Sequence, residues 1–331
     1  MSAKKALRFT VGLVIAALFT WLVLGHVDSR ELLAALSGVV PGWLFAALIA
    51  FFVGYACRIE RWRQMLRAEN PGIKWRDCAL PLFASFAVNN VLPFRAGDIM
   101  RSFAFCGRLG ASSGTVIATL LVERVLDLLV LLLALAAAIA LLGAGASLLG
   151  AWTMPVLLAV SIVLVATLLL LPTVVTRLGR AVASVATRMA PGFGAKITAE
   201  VERCVKALHQ LSRAAAMPKL VAWSMATWAA EGLVFYAAAL AMPALSNGLA
   251  AWLALPVGTL ATLIPSTPGY IGTFDYFTAA AMRELGNQPA VAVAYAYLVH
   301  MLLWLPPTLI GGIALALHPG LRKAGQPAPQ Q

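Results

Sequence analysis

The chain has 331 residues, of which 61% are hydrophobic and 11% charged, with a mean hydropathy of +0.87 and a net charge of +12. Soluble proteins carry roughly 25% charged residues, so this balance excludes an ordinary water-soluble enzyme and predicts an all-α polytopic membrane protein. The basic excess does not read as a nucleic-acid surface, because no basic domain stands apart from the connections between apolar runs.

Apolar runs of about 20 residues, enough to cross a bilayer, lie near 8–25, 39–57, 114–142, 152–172, 219–242 and 289–317. About six transmembrane helices are therefore expected. The first run follows Lys4, Lys5 and Arg8 and shows no A-x-A cleavage site up to Asp28, so it reads as a retained signal anchor. With the amino terminus in the cytoplasm, Arg30 and Arg283 fall outside and Arg124 within a span, while every other Lys and Arg falls inside. That bias predicts a multi-pass protein of the cytoplasmic (inner) membrane with both termini cytoplasmic. Cys57, Cys78, Cys106 and Cys204 form no C-x-x-C pair and fall on the cytoplasmic side, where thiols stay reduced.

After the second span come Arg58, Arg61, Trp62 and Arg63. They suit an aromatic and basic interface anchor, or a lateral entrance that recruits anionic lipid. Next, Ala87–Arg101 (AVNNVLPFRAGDIMR) puts turn formers and charges where membrane-depth backbone should be plain helix. Segment 78–108 reads as a re-entrant hairpin, because a full crossing there would expose the basic stretch 177–219 outside. Within it, Asn89 and Asn90 offer amides, Pro93 breaks helix, and Gly97 permits close approach beside Arg95 and Arg101. An anionic headgroup fits this set, with Asp98 orienting an arginine. The alternative makes Arg95 and Arg101 cytoplasmic-edge charges and Asp98 a helix cap.

Glu123, Arg124 and Asp127 lie in the longest apolar run, with Glu123 and Asp127 on one helical face. Each charge at depth costs roughly 2.5–3.5 kcal/mol on insertion scales, so the three should pair internally or face a wet cavity. An ion-pair lock, for example Arg124 to Asp98, and direct substrate or proton handling both fit. Segment 176–218 is basic, broken at Pro191-Gly192-Phe193-Gly194, and reads as a cytoplasmic interfacial connector. Glu231 stands alone in the fifth span as a coupling carboxylate or the partner of an intramembrane donor.

Segment 250–283 contains Leu263–Asp275 (LIPSTPGYIGTFD), and parity makes it a second hairpin entering from the outside, pointing at the first. Pro265, Pro268, Gly269 and Gly272 favour a tight break, while Ser266, Thr267, Tyr270, Thr273 and Asp275 supply hydrogen-bonding groups. It is either a structural plug or an anion-binding half-helix terminus. Pro93-x-x-x-Gly97 and Pro268-x-x-x-Gly272 share spacing, as an inverted repeat or shared turn chemistry would give. His300 in the last span either satisfies a backbone carbonyl or shuttles protons. No metal-ligand spacing occurs, and no cofactor is expected. Residues 1–318 form one integral membrane domain, followed by a disordered cytoplasmic tail at 319–331.

Taken in order, Arg58-Ile59-Glu60-Arg61-Trp62, Asn89-x3-Pro93-x-Arg95-x-Gly97-Asp98-x2-Arg101, Glu123-Arg124-x2-Asp127 and Pro265-x2-Pro268-Gly269-x2-Gly272-x2-Asp275 resemble the flippase-like transmembrane domain of lysylphosphatidylglycerol synthases. The likeness covers nearly the whole chain and implies a lipid-handling membrane module, here without the soluble aminoacyl-transferase domain that some members carry. Tyr270 departs from the second glycine of many relatives, and Asp275 from their usual glutamate.

The function expected is transport of an anionic lipid. Its site would comprise Asn89, Asn90, Arg95, Asp98, Arg101, Arg124, Ser266, Thr267, Gly269 and Tyr270. Glu123, Asp127, Glu231 and Asp275 would serve charge balance or coupling, and Arg58, Arg61 and Trp62 lipid entry. An intramembrane enzyme using Glu123 or Asp127 as base, or a scaffold delivering lipid to a partner synthase, are the alternatives.

Overall fold

In the computed structural model the described residues are 29–92, 95–143, 159–160, 163, 173–182, 184–185, 187–188, 191–211, 216–264 and 267–317. They are helical throughout, and no strand occurs among them. The helices are α1 (Ser29–Ser37), α2 (Pro41–Leu66), α3 (Trp75–Val91), α4 (Ala96–Phe103), α5 (Cys106–Leu109) and α6 (Ser113–Leu142). After these come α7 (Pro191–Leu211), α8 (Met217–Leu240), α9 (Ala251–Ala261), α10 (Thr273–Glu284) and α11 (Pro289–Leu317). Short 3-10 turns at Gly248–Ala250 and Pro268–Tyr270 flank α9.

Three helices, α2, α6 and α11, are long and apolar enough to cross a membrane. They coincide with the second, third and last apolar runs of the sequence. The fifth run is the 24-residue helix α8, whose apolar character is diluted by Lys219 and Glu231. The first run lies outside the described residues, as do nearly all of the fourth and the tail at 319–331. All four cysteines are free thiols.

Local chemistry sets the helix ends. Pro41 opens α2, where a missing N–H costs nothing. Ser112 caps α6 by accepting from Thr115 N at 3.2 Å, and Gly143 ends it in the left-handed conformation. Pro191, expected inside a break, instead begins α7. That helix packs on α6 and α8 through Cys204, Ala207 and Leu208, against Ala118, Val122 and Leu220.

Both irregular segments are helical hairpins. In the first, α3 and α4 fold against each other around Arg95. A β-carbon on Gly97 would overlap the Ser85 carbonyl, so a larger residue there would force the two helices apart. In the second, α9 and α10 pack together across the Pro268–Tyr270 turn. Helix α11 lies along α3, touching so closely that a side chain on Gly311 would meet the Phe83 carbonyl. The tip of the second hairpin rests on the end of the first: a β-carbon on Gly269 would lie 3.2 Å from the Asn90 carbonyl.

Gly97→Ala should therefore lower stability by about 1–3 kcal/mol, the usual cost of overpacking. Gly42→Ala, with nothing within 4 Å of the new methyl, should be near neutral. Thermal unfolding of both variants in detergent checks this; equal midpoints would contradict the close helix contact.

Candidate functional site

Helix α6 carries Glu123, Arg124 and Asp127 within about one turn, and each carboxylate meets an arginine from another helix. The Arg61 Nη1 atom donates to Asp127 Oδ1 at 2.6 Å and to Ser224 Oγ at 2.8 Å. Trp228 Nε1 adds a second donor to the same Asp127 oxygen at 3.0 Å. Arg101 Nη2 donates to Glu123 Oε2 at 2.8 Å, and its guanidinium stacks 3.9 Å from the Trp62 ring centroid. Such planar, charge-assisted contacts suit arginine and would suit lysine poorly. Arg124 lies 3.5 Å from both Asp98 and Glu123, so the lock to Asp98 is present alongside a second pairing. Glu231 pairs with Arg58, whose guanidinium sits 4.9 Å from the Trp228 ring.

These positions revise part of the expected site. Arg101 is fully buried and is not among the residues that line the cavity described below. Arg61 and Trp62 are also buried, with Trp62 Nε1 donating to Thr119 Oγ1 at 3.0 Å. Arg61 turns inward to pair with Asp127. Arg58 alone of that trio faces a cavity.

The Asn89 amide is consumed in building the first hairpin. Its Oδ1 accepts from Gly97 N at 2.8 Å, and its Nδ2 donates to Asp98 Oδ1 at 3.0 Å. Asn90 ties this hairpin to the proline-broken turn of α11, donating to Trp304 O at 3.3 Å and Thr308 Oγ1 at 2.8 Å. Thr267 Oγ1 donates to Ile271 O at 3.2 Å. Ser266, Pro265 and Pro93 lie outside the described residues.

Between the hairpins is a cavity of about 400 Å³. The first hairpin contributes Asn89, Asn90 and Arg95; the second contributes Thr259, Thr262, Gly269 and Tyr270. Arg58, Arg124, Asp127, Glu231 and His300 complete its polar lining, against an apolar wall that includes Phe51, Phe86, Leu128 and Trp304. Arg95 is held in the left-handed region, φ 51° and ψ 44°, and Tyr270 has φ 61°. Strain of order 1–3 kcal/mol persists only where surrounding structure enforces it, and it clusters at functional sites. A glycine at the position of Tyr270 would relieve it.

Sequence reading missed one pair. Asp275, completely buried, lies 2.7 Å from His300 Nδ1, and His300 Nε2 lies 2.9 Å from the Gly269 carbonyl. The other Asp275 oxygen accepts from Gly272 N at 2.8 Å. Partners on different helices, 25 residues apart, leave no periodic trace; the only sequence signals were one buried-type histidine and one acid after a glycine. Trp228, shared by Asp127 and Arg58, went unnoticed for the same reason.

Removing Arg101 would leave Glu123 charged and buried without its closest partner, a loss worth about 3–5 kcal/mol. Arg101→Ala should therefore unfold far more readily than the parent, and Arg101→Met with Glu123→Gln should recover most of the loss. Comparing denaturation of the parent and the two variants tests this; a near-neutral Arg101→Ala would contradict it.

Comparison with known proteins agrees with this architecture. One relative, described as glycosyltransferase AglD of Haloferax volcanii, is 26% identical over 345 residues, covering 95% of this chain. The chain spans about half of that relative, 54% of its length. The family model for the transmembrane region of lysylphosphatidylglycerol synthases matches residues 9–311. The chain is therefore a membrane protein that belongs to the lysylphosphatidylglycerol synthase transmembrane-region family.

Proposed function

We propose that this chain is a lipid flippase or transporter, moving an anionic, phosphate-bearing lipid across the cytoplasmic membrane through the cavity between its hairpins. In this reading the hairpins dip from opposite faces, both termini are cytoplasmic, and acyl or prenyl chains stay in the bilayer. The observation that carries it is Arg95. It lines the cavity in a strained backbone conformation and makes no ion pair among the described residues, whereas Arg58, Arg61, Arg101 and Arg124 all do.

An unpaired guanidinium beside a cavity is poised for a doubly bonded phosphate. Arg124, whose side chain is 36% exposed, is placed to assist. Taking a charged headgroup past apolar core is costly, and pairing in a polar cavity lowers that cost. Tyr270 and Thr262 offer hydroxyls on the opposite wall, while Glu123 and Asp127 neutralise the arginines that would otherwise trap the headgroup.

The relative's description as a glycosyltransferase favours a second reading, an intramembrane enzyme that modifies a lipid headgroup with Glu123 or Asp127 as base. Both carboxylates are already held by arginines, which opposes proton abstraction. Delivery of lipid to a synthase partner without transport is the third. Mass spectrometry of lipids incubated with purified protein separates the enzyme: it alone yields a new headgroup.

Headgroup accessibility in proteoliposomes tests the transport reading. Arg95→Ala should slow movement of an anionic lipid at least about tenfold, as loss of a charged hydrogen bond worth about 1.5–3 kcal/mol requires. Its thermal stability should stay within about 0.5 kcal/mol, because no partner is orphaned. Transport equal to the parent would overturn the assignment.

A further inference from the structure

We infer that Asp275 and His300 form a proton-binding site that clamps the second hairpin's tip, and that a proton is the co-substrate or trigger of its opening. The argument is a proton count. Both ring nitrogens of His300 face acceptors: a carboxylate oxygen at 2.7 Å and the Gly269 carbonyl at 2.9 Å. A neutral imidazole has one N–H and satisfies only one of them. Both bonds form together only when the pair holds one proton more than an ionised aspartate with a neutral histidine. The other Asp275 oxygen, Oδ2, already accepts from Gly272 N at 2.8 Å.

Loss of the proton to water in the cavity, which His300 lines, has a definite structural consequence. The neutral ring keeps one N–H. If it stays with Asp275, the Nε2 lone pair faces the Gly269 carbonyl and the contact becomes repulsive. Gly269 is the residue seated between Trp304 and the Asn90 carbonyl, so losing it unseats the tip from the first hairpin. The strained backbone at Tyr270, φ 61°, then has a route to relax. Proton bound therefore means tip closed, and proton released means tip free.

Arg58, Arg95, Arg124, Asp127 and Glu231 are the other charged side chains that line the same cavity, and Tyr55 and Tyr270 line it as well. On α11, Tyr297 lies within electrostatic reach of Asp275. Helix α9 presents no titratable side chain, the adjoining end of α3 offers only Asn89 and Asn90, and on α10 itself Tyr276 follows Asp275 while Arg283 and Glu284 stand at the opposite end. The Phe274 ring, its centroid 5.1 Å from that of His300, shields the pair without charging it.

The proton site stands on its own geometry; only its coupling to lipid passage rests on the transport reading. Hydrogen exchange of the full chain in phosphatidylglycerol nanodiscs, corrected for intrinsic rates, reads the clamp directly. Between about pH 5 and about pH 9, protection of amides 269–276 should fall by at least about tenfold, because closure that binds one proton weakens as pH rises. His300→Gln and the double variant Asp275→Asn with His300→Gln should show a flat profile, with protection of α6 unchanged as the control for folding. A flat profile in the parent, or the parent's slope persisting in both variants, would overturn the proton site. Lipid movement measured in parallel keeps the two claims apart. A pH-dependent tip without lipid movement would sink transport alone, and movement with a flat tip would sink only the proton site.

Discussion

Charge placed among apolar helices must be paired, and that constraint organises this molecule. Arg58 with Glu231, Arg61 with Asp127, Arg101 with Glu123 and Arg124 with Asp98 join α2, α4, α6 and α8 into one frame. In an apolar surrounding each partner left alone would cost several kcal/mol, so the register of these helices is fixed by which carboxylate each guanidinium can reach. Apolar packing could tolerate small slips between the same helices; bonds of 2.6 and 2.8 Å to buried carboxylates could not. Because the pairs neutralise one another, the frame leaves Arg95 as the cation facing the cavity without an ion pair among the described residues.

The frame also explains why irregular backbone is tolerated beside the cavity. Side chains close the helix starts that follow the breaks, Asn89 capping α4 and Asp275 capping α10, while Asn90 of the first hairpin donates to the Trp304 carbonyl of α11. Unsatisfied backbone polar groups are costly away from water, so the asparagines and aspartate that look like ligands in sequence act largely as backbone surrogates. In the transport reading proposed above, this moves the weight of recognition from amides to Arg95, Arg124 and the hydroxyls of the second hairpin.

Long apolar runs made α2, α6 and α11 legible, since twenty or more residues of one character admit little else. Turn chemistry at Pro268, Gly269 and Gly272 located the second hairpin, and Asn89 to Gly97 the first. Partnering was harder to read. Arg61 and Trp62 have the composition of an interface anchor, and only the inward reach of Arg61 to Asp127 shows that they are buried. Arg101 looked equivalent to Arg95, yet one is enclosed by Trp62 and Glu123 while the other sits at the hairpin turn. His300 and Asp275 belong to helices whose approach no local pattern encodes.

The central claim is that the two hairpins enclose a hydrated chamber able to hold an anion. Replacing the four native cysteines and introducing Arg95→Cys or Thr262→Cys, then measuring reaction with a membrane-impermeant thiosulfonate in sealed vesicles, addresses it most directly. The account predicts that both positions react and that an anionic lipid analogue slows the reaction at each. Two thiols inert to water-borne reagent from either compartment would contradict it, since the hairpins would then pack against acyl chains.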